Sequence, residues 1–180
     1  MKRSLCGKLH VSVSCILILF SLTFYAKEWK YYHLDNDNGL SNSSINTIFQ
    51  DHTGVMWFGT WDGLNRFDGN EFRQYGPEHN NPHSLSHPVI RNIAEEDNTY
   101  LWIVTDRGLN RFNIKSGNVD RYYLQNRKNY IYKENEFKCV ANKRKGIIAT
   151  LESNKFYKFN PQAKHFDKLR MPYLHISEIE

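Results

Sequence analysis

The feature that most constrains this chain is a repeat with a period of 45 residues. The segment "TWDGLNRFDG" at 60–69 returns as "TDRGLNRFNI" at 105–114, each time after an apolar run that contains Trp. The match extends upstream, where a shift of 45 positions superposes Leu40 on Leu85, Ile45 on Ile90, Ile48 on Ile93 and Trp57 on Trp102. Periods in this range are typical of propellers and of helical arrays.

The interior of one unit decides between these two architectures. Four short apolar or β-branched runs occupy 44–51, 55–60, 64–68 and 71–75. Turn residues such as His-Thr-Gly and Asp-Gly separate them, and Asp-Gly is a strong hairpin signal. Between 40 and 122 no window shows convincing helical periodicity. Because four antiparallel strands in a unit of this length are typical of a propeller blade, the sequence predicts an all-β chain.

The repeat also predicts how many blades the chain holds. We expect blades at about 40–75, 85–122 and 135–169, the third without its Trp and Gly-Leu, and the start of another at 173–180. The segment 28–41 resembles 71–86, so we expect an N-terminal closing strand before the first blade. A closed ring needs about 4–8 blades. The expected fold over 27–180 is therefore a partial β-propeller, truncated at the C-terminus.

Positions that recur in both clear units are predicted to be structural. Gly63 and Gly108 end tight turns where a positive φ is expected. Leu64 and Phe67 are expected to pack a neighbouring blade, because stacked blades bury both faces of a sheet. The full set of predicted structural positions is Trp57, Gly63, Leu64, Phe67, Trp102, Gly108, Leu109 and Phe112.

The first 26 residues have the pattern of an export segment. Lys2, Arg3 and Lys8 precede a stretch from Val11 to Ala26 without any charge. This run is short for a membrane span, which favours a signal peptide, with an uncleaved N-terminal anchor as the alternative. Both indicate a periplasmic protein. Without the leader the net charge falls from +5 to +2, too little to indicate a nucleic-acid partner.

The run "GLSNSSINTIFQDHTGVMWFGTWDGLNRFDGNEFRQY" at 39–75 resembles the two-component regulator propeller repeat. That repeat occurs in periplasmic sensor regions of hybrid two-component proteins, which include sensor histidine kinases. The resemblance implies a glycan-responsive sensor whose ligand is a glycan or oligosaccharide. It also implies further blades and downstream kinase, receiver and DNA-binding modules as partners, with a homodimer possible. Since none of those modules is present in these 180 residues, we expect no enzyme activity.

Candidate chemical sites are few. His79, His83 and His87 are spaced by four, but the Asn-Asn-Pro between them opposes a helix and favours a loop, so no metal site is predicted. No nucleophile elbow, phosphate loop or Cys–His pair occurs, and no cofactor or catalytic residue is predicted. Cys139 is the only cysteine outside the leader and is expected to be a buried structural thiol.

A ligand site is predicted from topology. In a four-stranded meander, the turn after the second strand and the link to the next unit emerge at one end of the sheet. Residues that differ between units at this end are the better candidates, since repeated ones serve the scaffold. Trp61-Asp62 is replaced by Asp106-Arg107 in the next unit, and these four residues are the predicted ligand contacts.

Two other functions stay open. A propeller enzyme acting on polysaccharide, either a lyase or a glycosidase, is compatible with the same scaffold. The other is a non-functional gene remnant, which aggregation of the isolated chain would favour, because open blade edges pair readily with other chains.

Overall fold

The computed structural model describes residues 31–124, 136–143, 146–151 and 153–169. The predicted leader at 1–26, the start of a further blade at 173–180 and most of the link 123–135 lie outside these residues. The chain divides into two units, of which the first ends at His33 and is described only at 31–33, without regular structure. The second unit begins at Leu34 and contains all the strands given below.

The described residues of the second unit form three four-stranded antiparallel sheets, which confirms the predicted all-β fold. Within each sheet the strands are ordered as in the chain, so each sheet is a meander. Blade 1 contains β1 (Ile45–Gln50), β2 (Met56–Thr60), β3 (Gly63–Phe67) and β4 (Phe72–Tyr75). Blade 2 contains β5 (Ile90–Glu95), β6 (Tyr100–Thr105), β7 (Gly108–Asn113) and β8 (Val119–Tyr122). Blade 3 contains β9 (Phe137–Lys143), β10 (Gly146–Leu151), β11 (Phe156–Asn160) and β12 (His165–Lys168).

Blade 3 keeps the fold although its sequence has lost the Trp and the Gly-Leu of the repeat. In β10 the side chains of Ile147, Ala149 and Leu151 are buried and alternate with less buried neighbours. Alternation with a period of two is what a half-buried strand requires. The pattern of apolar residues, and not the signature residues, is therefore sufficient for this blade.

The blades stack face to face, with neighbouring first strands in contact. Trp57 and Leu64 of blade 1 share one core with residues of blade 2 that include Ile93 and Phe112. A second core joins blade 2 to blade 3 and includes Trp102. Each fully buried side chain of this size contributes roughly 1.5–3 kcal/mol to folding. Blade 2 is consequently buried on both faces.

One aromatic contact recurs at both interfaces. The ring of Phe112 meets Trp57 edge-on at 5.6 Å and Tyr75 at 4.8 Å. At the next interface Phe159 meets Trp102 at 4.8 Å and Tyr122 at 5.4 Å. Such edge-to-face pairs add stability beyond the area that they bury. Blades 1 and 2 thus each present a Trp–Tyr pair to a Phe of the blade that follows.

Phe67 packs against no neighbouring blade among the described residues, so the prediction that it does so stays a prediction. It is half-buried and packs on Phe72 of its own sheet, with ring centroids 4.6 Å apart. Its counterpart Phe112 is fully buried against blade 1. The difference arises because Phe67 lies on the face of blade 1 that points away from blade 2.

Buried asparagines attach each connecting segment to the blade that follows it. The backbone N–H of Ser41 donates to Oδ1 of Asn65 at 2.9 Å, and Asn65 Nδ2 donates to Ser41 Oγ at 2.8 Å. Ser86 and Asn110 repeat both bonds at 3.0 and 2.9 Å. These bonds explain why the repeat retains Asn inside its Gly-Leu-Asn-Arg-Phe segment.

Arg121 of β8 binds the link between blades 1 and 2. Its Nε donates to Ser84 O at 2.8 Å, and its Nη2 lies 3.0 Å from Asn81 O and 3.1 Å from Leu85 O. Hydrogen bonds that involve a charged group are stronger than neutral ones. The link is therefore held against the outermost strand of blade 2.

The segment before blade 1 carries no strand where the described residues cover the predicted closing strand. Residues 31–35 are irregular, and a short 3₁₀ helix follows at Asn36–Asn38. A strand forms only where its backbone groups find a partner strand. The rest of the predicted closing strand lies outside the described residues. Within the described ranges, no helix has the length and apolar character needed to cross a bilayer.

Candidate ligand-binding surface

The four predicted contact residues lie in two equivalent turns at one end of the blades. Trp61 and Asp62 connect β2 to β3, and Asp106 and Arg107 connect β6 to β7. The backbone N–H of Gly63 donates to Pro88 O at 2.8 Å, so the link that enters blade 2 reaches the turn of blade 1. The turns and the link thus emerge at the same end, as the topology requires.

Both turns have the same internal framework. Gly63 and Gly108 adopt φ values of 112° and 122°, which side chains with a Cβ rarely adopt. The hydroxyl of Thr60 donates to Gly63 O at 3.0 Å, and Thr105 repeats this bond to Gly108 O at 3.0 Å. Each Thr hydroxyl also accepts a backbone N–H from the residue two positions on. A rigid turn therefore displays different side chains from each blade.

Arg91, which is not among the four predicted contacts, joins the two turns. Its guanidinium lies over the ring of Trp61, 5.3 Å from the centroid. The same guanidinium binds Asp106 through two bonds, Nε to Oδ1 at 2.6 Å and Nη2 to Oδ2 at 3.1 Å. Bidentate Arg–carboxylate pairs fix geometry as well as charge. Trp61 of blade 1 and Asp106 of blade 2 are thus held together by one side chain.

Asp62 and Arg107 are not drawn into this contact. Both are exposed, and their side chains form no hydrogen bond or ion pair with other described residues. Trp61 is also exposed, at 52%. The structure therefore brings Trp61, Arg91 and Asp106 together and leaves Asp62 and Arg107 beside them facing solvent. We call these five residues the Trp61–Arg91 surface.

His87 lies close to this surface at the end of the link. Burial lowers the pKa of its imidazole, and the positive charges of Arg107 and Arg91 act in the same direction against the opposing charge of Asp106. Its Nδ1 accepts the backbone N–H of Val89 at 3.3 Å, a contact that requires an unprotonated nitrogen. Since the neutral form is favoured, His87 adds no charge to the surface near neutral pH.

A signal for Arg91 was present in the sequence. Position 91 corresponds to position 46 of the first unit, where Asn46 instead donates from Nδ2 to Ile90 O at 2.9 Å. Trp61 and Asp106 were predicted as contacts because these positions differ between the two units. Position 91 differs between the units as well. What the sequence could not supply was the packing between blades that places Arg91 over Trp61.

Other candidate features lie elsewhere. A cavity of about 240 Å³ opens between the outer strands of blades 1 and 2 and is lined by residues that include Arg73, Tyr75, Glu78 and Asn118. None of the five residues of the Trp61–Arg91 surface lines it. Within the described ranges no three His, Cys, Asp or Glu side chains are placed to hold a metal ion, and Cys139 is a half-buried free thiol.

The three stacked four-stranded meanders formed by the described residues define a β-propeller fold. The family described as two component regulator propeller matches residues 39–62 of the chain. Over 45 residues the chain is 53% identical to "Histidine kinase P4" of Formosa agariphila, which corresponds to 25% of this chain and 3% of that protein.

Solved structures show the same fold. The extracellular domain of a hybrid two component system from B. thetaiotaomicron superposes with a TM-score of 0.66 at 23% identity, over 77% of this chain and 20% of that chain. Virginiamycin B lyase from Staphylococcus aureus superposes with a TM-score of 0.57 at 15% identity, over 81% of this chain and 46% of the lyase chain. PorZ from Porphyromonas gingivalis superposes with a TM-score of 0.54 at 18% identity, over 81% of this chain and 22% of the PorZ chain. The chain thus spans less than half the length of each of these relatives.

Proposed function

We propose that this chain forms part of the ligand-sensing propeller of a hybrid two-component sensor, outside the cytoplasm. The two component regulator propeller repeat and the relative named as a histidine kinase support this proposal. The transmission of a signal then depends on further blades and on kinase modules that these 180 residues do not contain. The predicted export segment at 1–26 agrees with such a location.

We propose further that the Trp61–Arg91 surface contacts a saccharide. The observation that carries this is an exposed Trp61 whose indole is held from one side by Arg91. An aromatic ring with a free face suits the C–H face of a pyranose, and a preorganised side chain loses little entropy on binding. Asp62 and Arg107 supply an acceptor and donors for sugar hydroxyls. Two arginines and two aspartates balance in charge, which favours a neutral saccharide over an acidic one.

The test is titration calorimetry of the full chain against a panel of neutral and uronic-acid oligosaccharides. We expect at least one neutral member to bind and Trp61→Ala to weaken it about tenfold, equivalent to about 1.4 kcal/mol. Arg91→Ala should weaken it as well, since the indole is then no longer held. Tyr32→Ala, which removes an exposed aromatic residue outside the surface, serves as the control.

Unchanged affinity in Trp61→Ala would show that the saccharide binds elsewhere, and no binding by any panel member would refute the ligand class. The release of new reducing ends from polysaccharide would favour the propeller enzyme instead. A reading frame that continues into a membrane helix and kinase modules would support the sensor, and a stop directly after the last blade would contradict it.

A further inference from the structure

The cavity of about 240 Å³ between the outer strands of blades 1 and 2 is separate from the Trp61–Arg91 surface. We call it the outer cavity. It is lined by the end of β4, by the link that follows β4 and by the turn between β7 and β8. Pockets for drug-sized ligands usually enclose about 300–1,000 Å³. The outer cavity therefore suits a smaller molecule.

The floor of the outer cavity belongs to the core between the two blades. Leu85, Phe112 and Val119 line the cavity, and each is at most 2% exposed. Tyr75 is half-buried and meets the ring of Phe112 edge-on at 4.8 Å. The floor is thus formed by side chains that the packing of the blades already fixes.

The walls of the outer cavity are fixed as well. The backbone N–H of Val119 donates to His83 O at 2.8 Å, which ties the link to β8. Gly117 in the turn has a φ of 76°, and a Cβ there would lie 3.2 Å from Cε1 of Tyr75. The close approach of this turn to the ring therefore depends on glycine. A preformed cavity orders few groups on binding and loses little entropy.

Two opposite charges line the outer cavity without a charged partner. The guanidinium of Arg73 lies over the ring of Tyr75, 5.3 Å from the centroid, and forms no hydrogen bond or ion pair with another described residue. Glu78 Oε2 accepts a hydrogen bond from Asn81 Nδ2 at 2.7 Å, but Glu78 forms no ion pair within the described ranges. Both side chains are held by neutral groups and keep their charges available.

The sheet itself does not explain Arg73. Arg73 lies directly opposite Arg66 of β3, and like charges in directly opposite positions destabilise a sheet. The equivalent pair in blade 2 is Arg111 and Asp120, which have opposite charges. Since the same fold accepts an acidic residue at this position, the positive charge of Arg73 serves something other than the strand pairing.

We propose that the outer cavity binds a free α-amino acid, whose carboxylate pairs with Arg73 and whose ammonium group pairs with Glu78. Guanidinium groups bind carboxylates through two parallel hydrogen bonds. A ligand that carries both charges satisfies both side chains at once, whereas a neutral saccharide would leave each without a counter-charge. The small volume favours a single amino acid over an oligosaccharide. The inference holds whether or not the Trp61–Arg91 surface binds a saccharide.

Titration calorimetry of the full chain against each of the common L-amino acids tests the proposal. We expect at least one of them to bind. That amino acid is then compared with its amide, which lacks the carboxylate, and with its N-acetyl form, which lacks the ammonium group. Each analogue should bind the native chain about tenfold or more weakly, because one charged side chain of the cavity loses its partner.

Two variants assign the two charges. In Arg73→Gln the free amino acid and its amide should bind equally, while the N-acetyl form stays weaker. In Glu78→Gln the free amino acid and its N-acetyl form should bind equally, while the amide stays weaker. Arg66→Gln is the matched control, since Arg66 carries the same charge in the facing strand but does not line the cavity, and it should leave the affinity unchanged.

Urea denaturation separates a binding role of Arg73 from a structural one. Arg73→Gln should leave the urea midpoint of unfolding unchanged or raise it. The reason is that relief of the repulsion between Arg66 and Arg73 offsets the lost contact with Tyr75.

Four results would overturn the proposal. The first is that no L-amino acid binds the native chain. The second is that the amide and the N-acetyl form bind the native chain as tightly as the free amino acid. The third is an equal loss of affinity in Arg66→Gln and Arg73→Gln, which would show that the charge acts from a distance. The fourth is a loss of binding in Arg73→Gln together with a lower urea midpoint, which would assign Arg73 to the fold.

Discussion

The indole Nε1 of Trp57 donates a 2.8 Å hydrogen bond to Oδ2 of the buried carboxylate of Asp51. The equivalent nitrogen of Trp102 in blade 2 is buried and has no hydrogen-bond partner among the described residues. Glu96 stands where Asp51 stands in the repeat, but it binds Arg111 through two bonds of 2.7 and 2.9 Å. Two fully buried tryptophans in equivalent places therefore have different hydrogen bonding.

This difference gives a matched pair of substitutions. Trp57→Phe leaves Asp51 without one of its donors, whereas Trp102→Phe removes an N–H that was already unsatisfied. We expect Trp57→Phe to lower the free energy of unfolding by about 1–3 kcal/mol more than Trp102→Phe. Urea denaturation of the two variants measures this. Equal losses would mean that the bond to Asp51 adds nothing to stability.

Asp51 should also make stability depend on pH in the acid range. Burial alone would raise its pKa, but hydrogen bonds from Thr53, Trp57 and Val55 outweigh burial and hold the pKa below its ordinary value. A group whose pKa is lower in the folded state stabilises the fold above its unfolded pKa. That stabilisation is lost as the pH falls below about 4 and through the folded pKa.

The expected result is a steeper acid loss of stability in the native chain than in Asp51→Asn, measured by denaturation between about pH 3 and pH 7. Asp62→Asn provides the control, because the Asp62 side chain is exposed and forms no hydrogen bond or ion pair with other described residues. Identical slopes in all three proteins would exclude Asp51 as a source of the acid sensitivity.

Gly59 should not tolerate a side chain. A Cβ at this position would lie 2.5 Å from Ile90 Cγ2 and 2.5 Å from Thr47 Cγ2, inside the interface between blades 1 and 2. We expect Gly59→Ala to cost about 1–3 kcal/mol by overpacking. Gly76→Ala is the control, since nothing lies within 4 Å of its Cβ position, and it should change stability by about 0.5 kcal/mol at most. Equal melting temperatures for the two variants would show that a Cβ at position 59 does not overpack the interface.

Asn65→Ala should loosen the attachment of blade 1 to the segment before it. The substitution removes the acceptor for the Ser41 N–H and the donor to the Ser41 hydroxyl, both in a buried site. We expect a loss of about 1–3 kcal/mol and faster hydrogen exchange at Ser41. Asn70→Ala, at an exposed turn position, should leave both quantities within error of the native chain. An unchanged hydrogen-exchange rate at Ser41 in Asn65→Ala would contradict the explanation that Asn recurs in the repeat because it binds the connecting segment.

The strands were predictable from the sequence because the repeat aligned two units that fold alike. Hairpin turns and alternating apolar residues located even β9–β12, where the signature residues are missing. The sequence does not distinguish Phe67 from Phe112, since the residues around the two are nearly the same. Whether such a ring is covered depends on a neighbouring blade, which local sequence does not specify.

The candidate surface was predictable in part for the same reason. Comparison of units singled out Trp61 and Asp106, because variable residues on a repeated turn stand out. The contact between them depends on Arg91, whose side chain crosses from one blade to the next. Contacts of this kind depend on how neighbouring sheets stack. The residue pattern along one strand contains no information on the distance between side chains of two different sheets.

The hydrogen bonds of Arg121 and the Asn–Ser bonds determine where this protein can be divided. Each connecting segment is hydrogen-bonded to the sheet that follows it in the chain. The boundary between the first two sheets therefore lies near Gly76 and Pro77, before the connecting segment, and not at the start of β5. An expression fragment that begins at Ile90 would lack the connecting segment that is hydrogen-bonded to its outermost strand, β8. One that begins at Gly76 would keep it.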